Sequence, residues 1–345
     1  MSSKARAKAR PSISLGYKLS SEEQTPSDLV RYAQMAEESG FTFALISDHY
    51  HPWIDRQGQS PFVWSVLGAI AQATKHLTVG TAVTCPTVRI HPAIIAQAAA
   101  TTAALMPGRF FLGLGTGENL NEHIVGRGWP ETEVRQERLE EAIEVIRQLW
   151  RGGNQSHHGR HFTVENARLY SLPDALPPLL VAAGGPQSAE LAGRLGDGMI
   201  GTGPEPELFT TFDKAGGAGK PRYGELTVCV AKDEKTARRT AREHWPTAAM
   251  ESALSWELPL PAHFEAVAEL VTEDQVVESV TCGPDPSAHV KAIAKYAEAG
   301  YDHICVHQIG KDQTAFFEFY REKVLPHLDS IERPSSRGRV VGARR

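Results

Sequence analysis

The chain has 345 residues, of which 41% are hydrophobic and 22% charged; its net charge is −5 and its pI about 6.3. That is the balance of an ordinary globular protein, and a net negative charge gives no reason to expect nucleic acid or an anionic membrane surface as a partner. No apolar run reaches the roughly 18 residues that a membrane-spanning helix needs.

Basic residues gather at both ends: Lys4, Arg6, Lys8 and Arg10 within a tail of residues 1–12, and Arg333, Arg337, Arg339, Arg344 and Arg345 within a tail of residues 331–345. No apolar segment of a secretory signal follows the first tail. The four cysteines, Cys85, Cys229, Cys282 and Cys305, show no paired spacing. A reduced, cytoplasmic protein is expected.

The alternation of Ile13 to Leu19 predicts a first strand, and Ser27-Asp28 opens a helix with Leu29, Tyr32, Ala33 and Ala36 on one face, stopped by Gly40. A strand over 41–47, a helix from Pro61 to about Thr74 and a strand over 77–83 come next. Pro92 begins a third helix that runs to Pro107-Gly108, and residues 109–115 form the fourth strand. Four strand–helix units in succession predict a parallel sheet with right-handed crossovers.

The second half continues with a long helix over 131–150 and a polar excursion at 154–177 that reads as a hairpin. Strands are expected at 179–183, 198–202, 226–231 and 303–307. Helices fall at 188–195, 234–244, 287–299 and 314–325, and a helical insertion occupies about 245–280. Eight strands make the expected fold class α/β, a (β/α)8 TIM barrel over residues 13–330. In such a barrel reactive groups collect where strands end.

The second strand runs into Asp48, His49, Tyr50, His51, Pro52 and Trp53, which places two titratable groups and an aromatic face at a strand end. The third delivers Val83, Thr84 and Cys85, the fourth Gly115 to Asn121 with Glu118, and the fifth Ala183, Gly184, Gly185 and Pro186. Glycine lets a backbone pass close to a flat or phosphorylated ligand, and helix-opening N–H groups suit a phosphate. Taken singly, His49 reads as a hydrogen-bonded loop residue and Glu118 as a first-turn acid; it is their concurrence at one face that points to an active site. His157, His158 and His161 read as a solvent-exposed hairpin rather than a metal site, and no metal is expected. Gly113, Gly115 and Gly117 miss the dinucleotide fingerprint, which argues against a Rossmann domain.

These segments carry a resemblance. Ser47-Asp48-His49 with Pro52-Trp53, Gly80-Thr81 with Pro86-Thr87, Gly113 to Glu118 with Leu120-Asn121-Glu122, and Ala182 to Pro186 with Gly196-Asp197-Gly198 resemble the luciferase-like superfamily of TIM-barrel flavin and deazaflavin enzymes. Within it, they resemble the coenzyme F420-dependent glucose-6-phosphate dehydrogenase group, over nearly the whole chain.

The resemblance implies an F420-dependent oxidoreductase that passes a hydride between an alcohol or sugar carbinol carbon, sugar phosphates included, and the deazaflavin ring. It implies His49 as the base, Glu118 as the source of a proton for the ring and Trp53 as an aromatic partner of the substrate. Cofactor contacts fall on Asp48, Val83, Cys85, Glu118, Asn121, Ala183, Gly184, Gly185 and Pro186, with a non-proline cis peptide at Ala82-Val83. It also implies a homodimer, with which the alanine-rich stretch from Ile94 to Met106 is consistent, though that helix could equally be packed inside one subunit. An FMN-dependent monooxygenase is the alternative, and a non-catalytic cofactor-binding protein a third class.

One departure bears on substrate. Relatives hold a sugar phosphate with lysines and an arginine, whereas here Thr202-Gly203-Pro204-Glu205-Pro206-Glu207 and Val277-Glu278-Ser279-Val280 stand at those positions. Carboxylates there repel a phosphate dianion. Lys214, Lys220 and Arg222 are the nearby cations left to compensate.

Overall fold

A computed structural model describes residues 13–250 and 252–331. The two basic tails, Ile331 excepted, lie outside them.

Among the described residues eleven strands form: β1 (Ser14–Leu19), β2 (Phe43–Ile46), β3 (Thr78–Thr81), β4 (Phe110–Leu114), β5 (Gln155–His158), β6 (Thr163–Ala167), β7 (Leu179–Ala182), β8 (Gly198–Gly201), β9 (Arg222–Cys229), β10 (Thr281–Cys282) and β11 (His303–Gln308). Parallel pairing runs β9-β11-β1-β2-β3-β4-β7-β8, and β8 pairs again with β9, which closes the barrel. The eight expected barrel strands are all present. β5 and β6 form the expected antiparallel hairpin outside it.

Among the boundaries that differ from expectation, three are instructive. The seventh barrel strand starts at Arg222, ahead of Leu226, because its inward positions carry polar Glu225 as well as Tyr223 and so lack an apolar signature. The first helix starts at Pro26, with Thr25 as its cap: the Thr25 hydroxyl accepts from the Asp28 amide at 3.1 Å. The last helix holds α-helical form only over Gln313–Phe319, then widens and tightens in successive turns to Ser330. The short β10 was not expected; it pairs with β9 at Val228 and Cys229, just past the reach of β8.

The lower half of the barrel is sealed by Phe43, Phe111, Tyr223 and His303, with Tyr223 stacked on His303 at 4.2 Å between ring centroids. Leu45, Leu180, Ile200 and Cys305 extend that apolar plug. Above it the interior turns polar: the buried Lys18 ammonium lies 2.7 Å from Glu225 Oε2, and His307 is fully buried beside it. An apolar plug at the N-terminal end and charges at the C-terminal end direct chemistry to the mouth.

The larger core lies between barrel and helices. The alanine-rich helix (Pro92–Leu105) turns Ala96, Ala99, Ala100 and Ala103 inward, and the Trp150 indole of the helix Thr132–Trp150 donates to the Ala96 carbonyl at 2.9 Å. These four alanines thus pack within the subunit, while Ile94 and Leu105 stay exposed on its other side.

Short helices occupy the expected insertion, among them Ser252–Glu257, Pro261–Ala268 and Glu273–Val276. Of these, Pro261–Ala268 reaches the β2 loop, where buried Phe264 meets Trp53 at 5.2 Å between centroids. No helix among the described residues is long and apolar enough to cross a membrane.

Candidate active site

β2 ends at Ile46, and the chain leaves the barrel through Ser47, Asp48 and His49. Strand alternation sends the neighbouring side chains to different surroundings. His49 Nε2 lies 3.4 Å from Glu22 Oε1, both side chains nearly buried, and the His49 ring meets Trp53 edge-on at 5.1 Å.

Glu22 belongs to the loop after β1. Its Oε2 accepts from the Ser47 hydroxyl at 2.7 Å and from the Ser20 hydroxyl at 3.0 Å. Burial opposes its ionisation, but the charges of His49 and Lys18 and the Ser47 hydrogen bond outweigh burial and bring the carboxyl below its ordinary range. A carboxylate held anionic beside an imidazole stabilises the imidazolium that forms when the ring takes up a proton.

Asp48 faces the other way. Its buried carboxylate accepts from Thr84 Oγ1 at 2.8 Å and from Arg89 Nη2 at 2.9 Å. Arg89 also reaches Glu122, whose Oε2 accepts the Arg89 amide at 2.6 Å. The cluster therefore places two carboxylates around one guanidinium. Burial, with Glu118 and Asp48 adding, pushes the Glu122 carboxyl up to about 7 against the pull of Arg89 and its amide.

Glu118 precedes the helical turn Asn119–Glu122 and is half-buried. Asn121 donates to Glu118 Oε2 at 3.3 Å, while its oxygen accepts the backbone amides of Tyr50 and His51 at 2.8 and 3.1 Å. Asn121 thus ties the loop that follows His49 to the end of β4.

The Ala82–Val83 peptide bond is cis, and the Lys18 ammonium approaches the Ala82 carbonyl at 3.4 Å. Val83 Cγ2 would lie 2.5 Å from a Cβ on Gly115, so only glycine passes there. Gly117 has φ +88°, a second position that demands glycine. Cys85 is buried behind it, and burial raises its thiol well above the usual range. Ala183 is buried, whereas Gly184 and Pro186 are exposed at the start of the helix Pro186–Leu195. The Gly185 amide donates to the Ser188 hydroxyl at 3.1 Å.

The expected residues therefore come from the ends of β2, β3, β4 and β7, all at one mouth. Glu22, Arg89 and Glu122 were not singled out from sequence, although each contacts a residue that was. The three hairpin histidines pair with carboxylates: His157 with Glu141, His158 with Glu165 and His161 with Glu137.

The compensating cations do not reach the mouth. Lys220 and Arg222 lie at the start of β9, the opposite end of the barrel from Glu205. The Lys220 ammonium donates to the Gly193 and Gly196 carbonyls, each at 2.8 Å, and Arg222 pairs with Asp213 at 2.5 Å. Lys214 follows the helix Pro206–Phe212, which returns from the mouth. Glu205, Glu207 and Glu278 are exposed.

A family model for luciferase-like monooxygenases matches residues 12–303. An F420-dependent glucose-6-phosphate dehydrogenase of Microbacterium testaceum (strain StLB037) is 36% identical, over 92% of this chain and 97% of its own. The protein of that name from Kribbella flavida is 38% identical over 93% and 99%. Among solved structures, an F420-dependent secondary alcohol dehydrogenase in complex with an F420-acetone adduct is 31% identical, with a TM-score of 0.86 over 92% of this chain and 99% of that one. The coenzyme F420-dependent tetrahydromethanopterin reductase of Methanopyrus kandleri, 20% identical with a TM-score of 0.71, shares the fold. The cis peptide, the glycine-lined mouth and the His49 pocket thus sit in a barrel whose sequence, matched over most of its length, belongs to the luciferase-like family.

Proposed function

We propose that this chain is a coenzyme F420-dependent dehydrogenase that moves a hydride between the deazaflavin ring and the carbinol carbon of an alcohol or sugar. The relatives' names support the cofactor and the reaction type. The observation that carries the reading is the pairing of His49 with the buried Glu22 carboxylate beside Trp53, a base and an aromatic wall at one strand end.

The residues present fit the cofactor. The cis Ala82–Val83 peptide, whose Val83 side chain is seated close against Gly115, would back a flat ring, and the N-terminus of the helix Pro186–Leu195, reached through exposed Gly184, offers N–H groups to a phosphate. Asp48, Val83, Cys85, Glu118, Asn121 and Ala183 complete the set that would border it. When bound, F420 supplies a two-electron hydride acceptor.

In this reading His49 removes the hydroxyl proton as the carbinol carbon is oxidised, and Glu22 stabilises the resulting imidazolium. Trp53 confines the substrate against the mouth. Glu118 would supply a proton at the edge of the bound cofactor, and Asn121 holds it close to the His49 loop.

An unphosphorylated alcohol or sugar is the favoured substrate: exposed Glu205, Glu207 and Glu278 take the positions that the resemblance assigns to a phosphate clamp, and Lys220 and Arg222 are engaged at the far rim. The protein is proposed to act in the cytoplasm as a homodimer, supported by the exposed Ile94 and Leu105. The test of the reaction is isotopic: deuterium at the carbinol carbon should appear in the deazaflavin product, and its absence there would refute the hydride step.

A further inference from the structure

The loop that carries Trp53 has no regular secondary structure between His49 and the helix Val63–Ala73. Its inner side meets His49 and Phe264. Its outer side borders a cavity of about 450 Å³ lined in part by Gln57, Glu23, Gln24 and His244.

We infer that Gln57 is a positioning residue for Trp53, acting through a buried amide clip. The Gln57 side chain is almost wholly inaccessible. Its Oε1 accepts the Trp53 amide at 2.9 Å and lies 3.4 Å from the Ile54 amide. Its Nε2 donates to the His244 carbonyl at 3.0 Å. One side chain thus joins the Trp53 backbone to the end of the helix Glu234–His244, from which the chain passes into the insertion.

A second tie runs the same way, since the Asp55 amide donates to Glu265 at 3.2 Å, next to Phe264. Trp53 is caught between the insertion's Phe264 and the His49 ring. The Gln57 amide sets where its backbone stands. Trp245, next to His244, lies edge-on to the buried His307 at 4.4 Å, so the clip also anchors the insertion to the barrel interior.

The two halves of the amide do different work. A carboxylate in place of the amide keeps the acceptor for the Trp53 and Ile54 amides but turns its second oxygen against the His244 carbonyl. A thioether keeps neither and leaves two buried N–H groups unsatisfied. The inference rests on the proposed substrate role of Trp53, so its test includes a readout that needs no turnover.

Gln57→Met and Gln57→Glu are compared with the full-length protein by kcat and KM for the alcohol, by F420 affinity, and by acrylamide quenching of Trp53, taken as wild type minus Trp53→Phe. Gln57→Met should lower kcat/KM by about tenfold to a hundredfold, mainly through KM, since displacing a substrate-facing group by about 1 Å has effects of that order. F420 affinity should stay unchanged, and Trp53 should become more quenchable. Gln57→Glu should restore part of both signals. Unchanged quenching in Gln57→Met, an equal loss of F420 affinity, or Gln57→Glu no better than Gln57→Met would each overturn the assignment. If wild type turns over no alcohol, the quenching comparison still decides the role of Gln57, and the failure falls on the proposed reaction.

Discussion

His49 and Glu22 meet across the ends of neighbouring strands, Nε2 to Oε1 at 3.4 Å, with both side chains at most one-tenth exposed. The contact sets an imidazole beside a carboxylate that its surroundings hold ionised. Replacing His49 with Ala should lower kcat by about 10²–10⁴, the range general-base catalysis contributes. F420 affinity should be little changed. Glu22→Gln should cost less, about tenfold to a hundredfold in kcat, because it acts through His49. Steady-state kinetics with separate F420 titrations would check both; equal losses in cofactor affinity would contradict the division.

The Arg89 guanidinium is buried between Asp48 and Glu122. Its removal leaves carboxylates without their counter-charge. Arg89→Met should destabilise the fold by about 3–5 kcal/mol, the cost of breaking one side of a buried ion pair. Denaturant unfolding measures it. Adding Asp48→Asn should recover part of the loss, and a strictly additive double variant would contradict the coupling.

Glu122 supplies a pH dependence of definite sign. Burial raises its carboxyl to about 7, whereas its ordinary value is 4.5. The unfolded chain sheds this proton first as pH rises, so the group's contribution to stability is fully present below that lower value and is lost as pH climbs toward 7. Glu122→Gln should remove this slope. Between pH 5 and 8 the melting temperature of wild type should fall relative to the variant, and parallel curves would contradict the assignment.

The barrel was legible because each strand–helix unit carries its own period: apolar runs such as Leu77 to Val83 beside amphipathic stretches such as Thr132 to Trp150. Those signals are local. The start of β9 was hidden because Glu225 fills an inward position to meet Lys18, a pairing between residues far apart in the chain. The site divides the same way. Asp48, His49 and Trp53 stand out as neighbours at a strand end. Glu22, within Ser20-Ser21-Glu22-Glu23-Gln24, has the composition of a solvated turn, and only closure of the sheet buries it against Ser47. Lys220 and Arg222 lie near Glu205 in sequence, but an intervening helix carries the chain to the other end of the barrel.

If Glu205, Glu207 and Glu278 border the substrate as proposed, substrate choice is adjustable. Glu205→Lys should raise kcat/KM for a phosphorylated sugar by about twofold to fivefold relative to its unphosphorylated form, the scale of one exposed charge pair. Competition between glucose and glucose 6-phosphate would read the ratio. An unchanged ratio would place the phosphate-facing wall elsewhere.

The most direct measurement is a titration with coenzyme F420 and, separately, FMN, followed by a panel of alcohols, sugars and sugar phosphates watched at the deazaflavin absorbance. The account predicts tight F420 binding and bleaching by unphosphorylated alcohols or sugars. Bleaching by glucose 6-phosphate alone would contradict the substrate assignment, and FMN bound with no affinity for F420 would contradict the dehydrogenase itself.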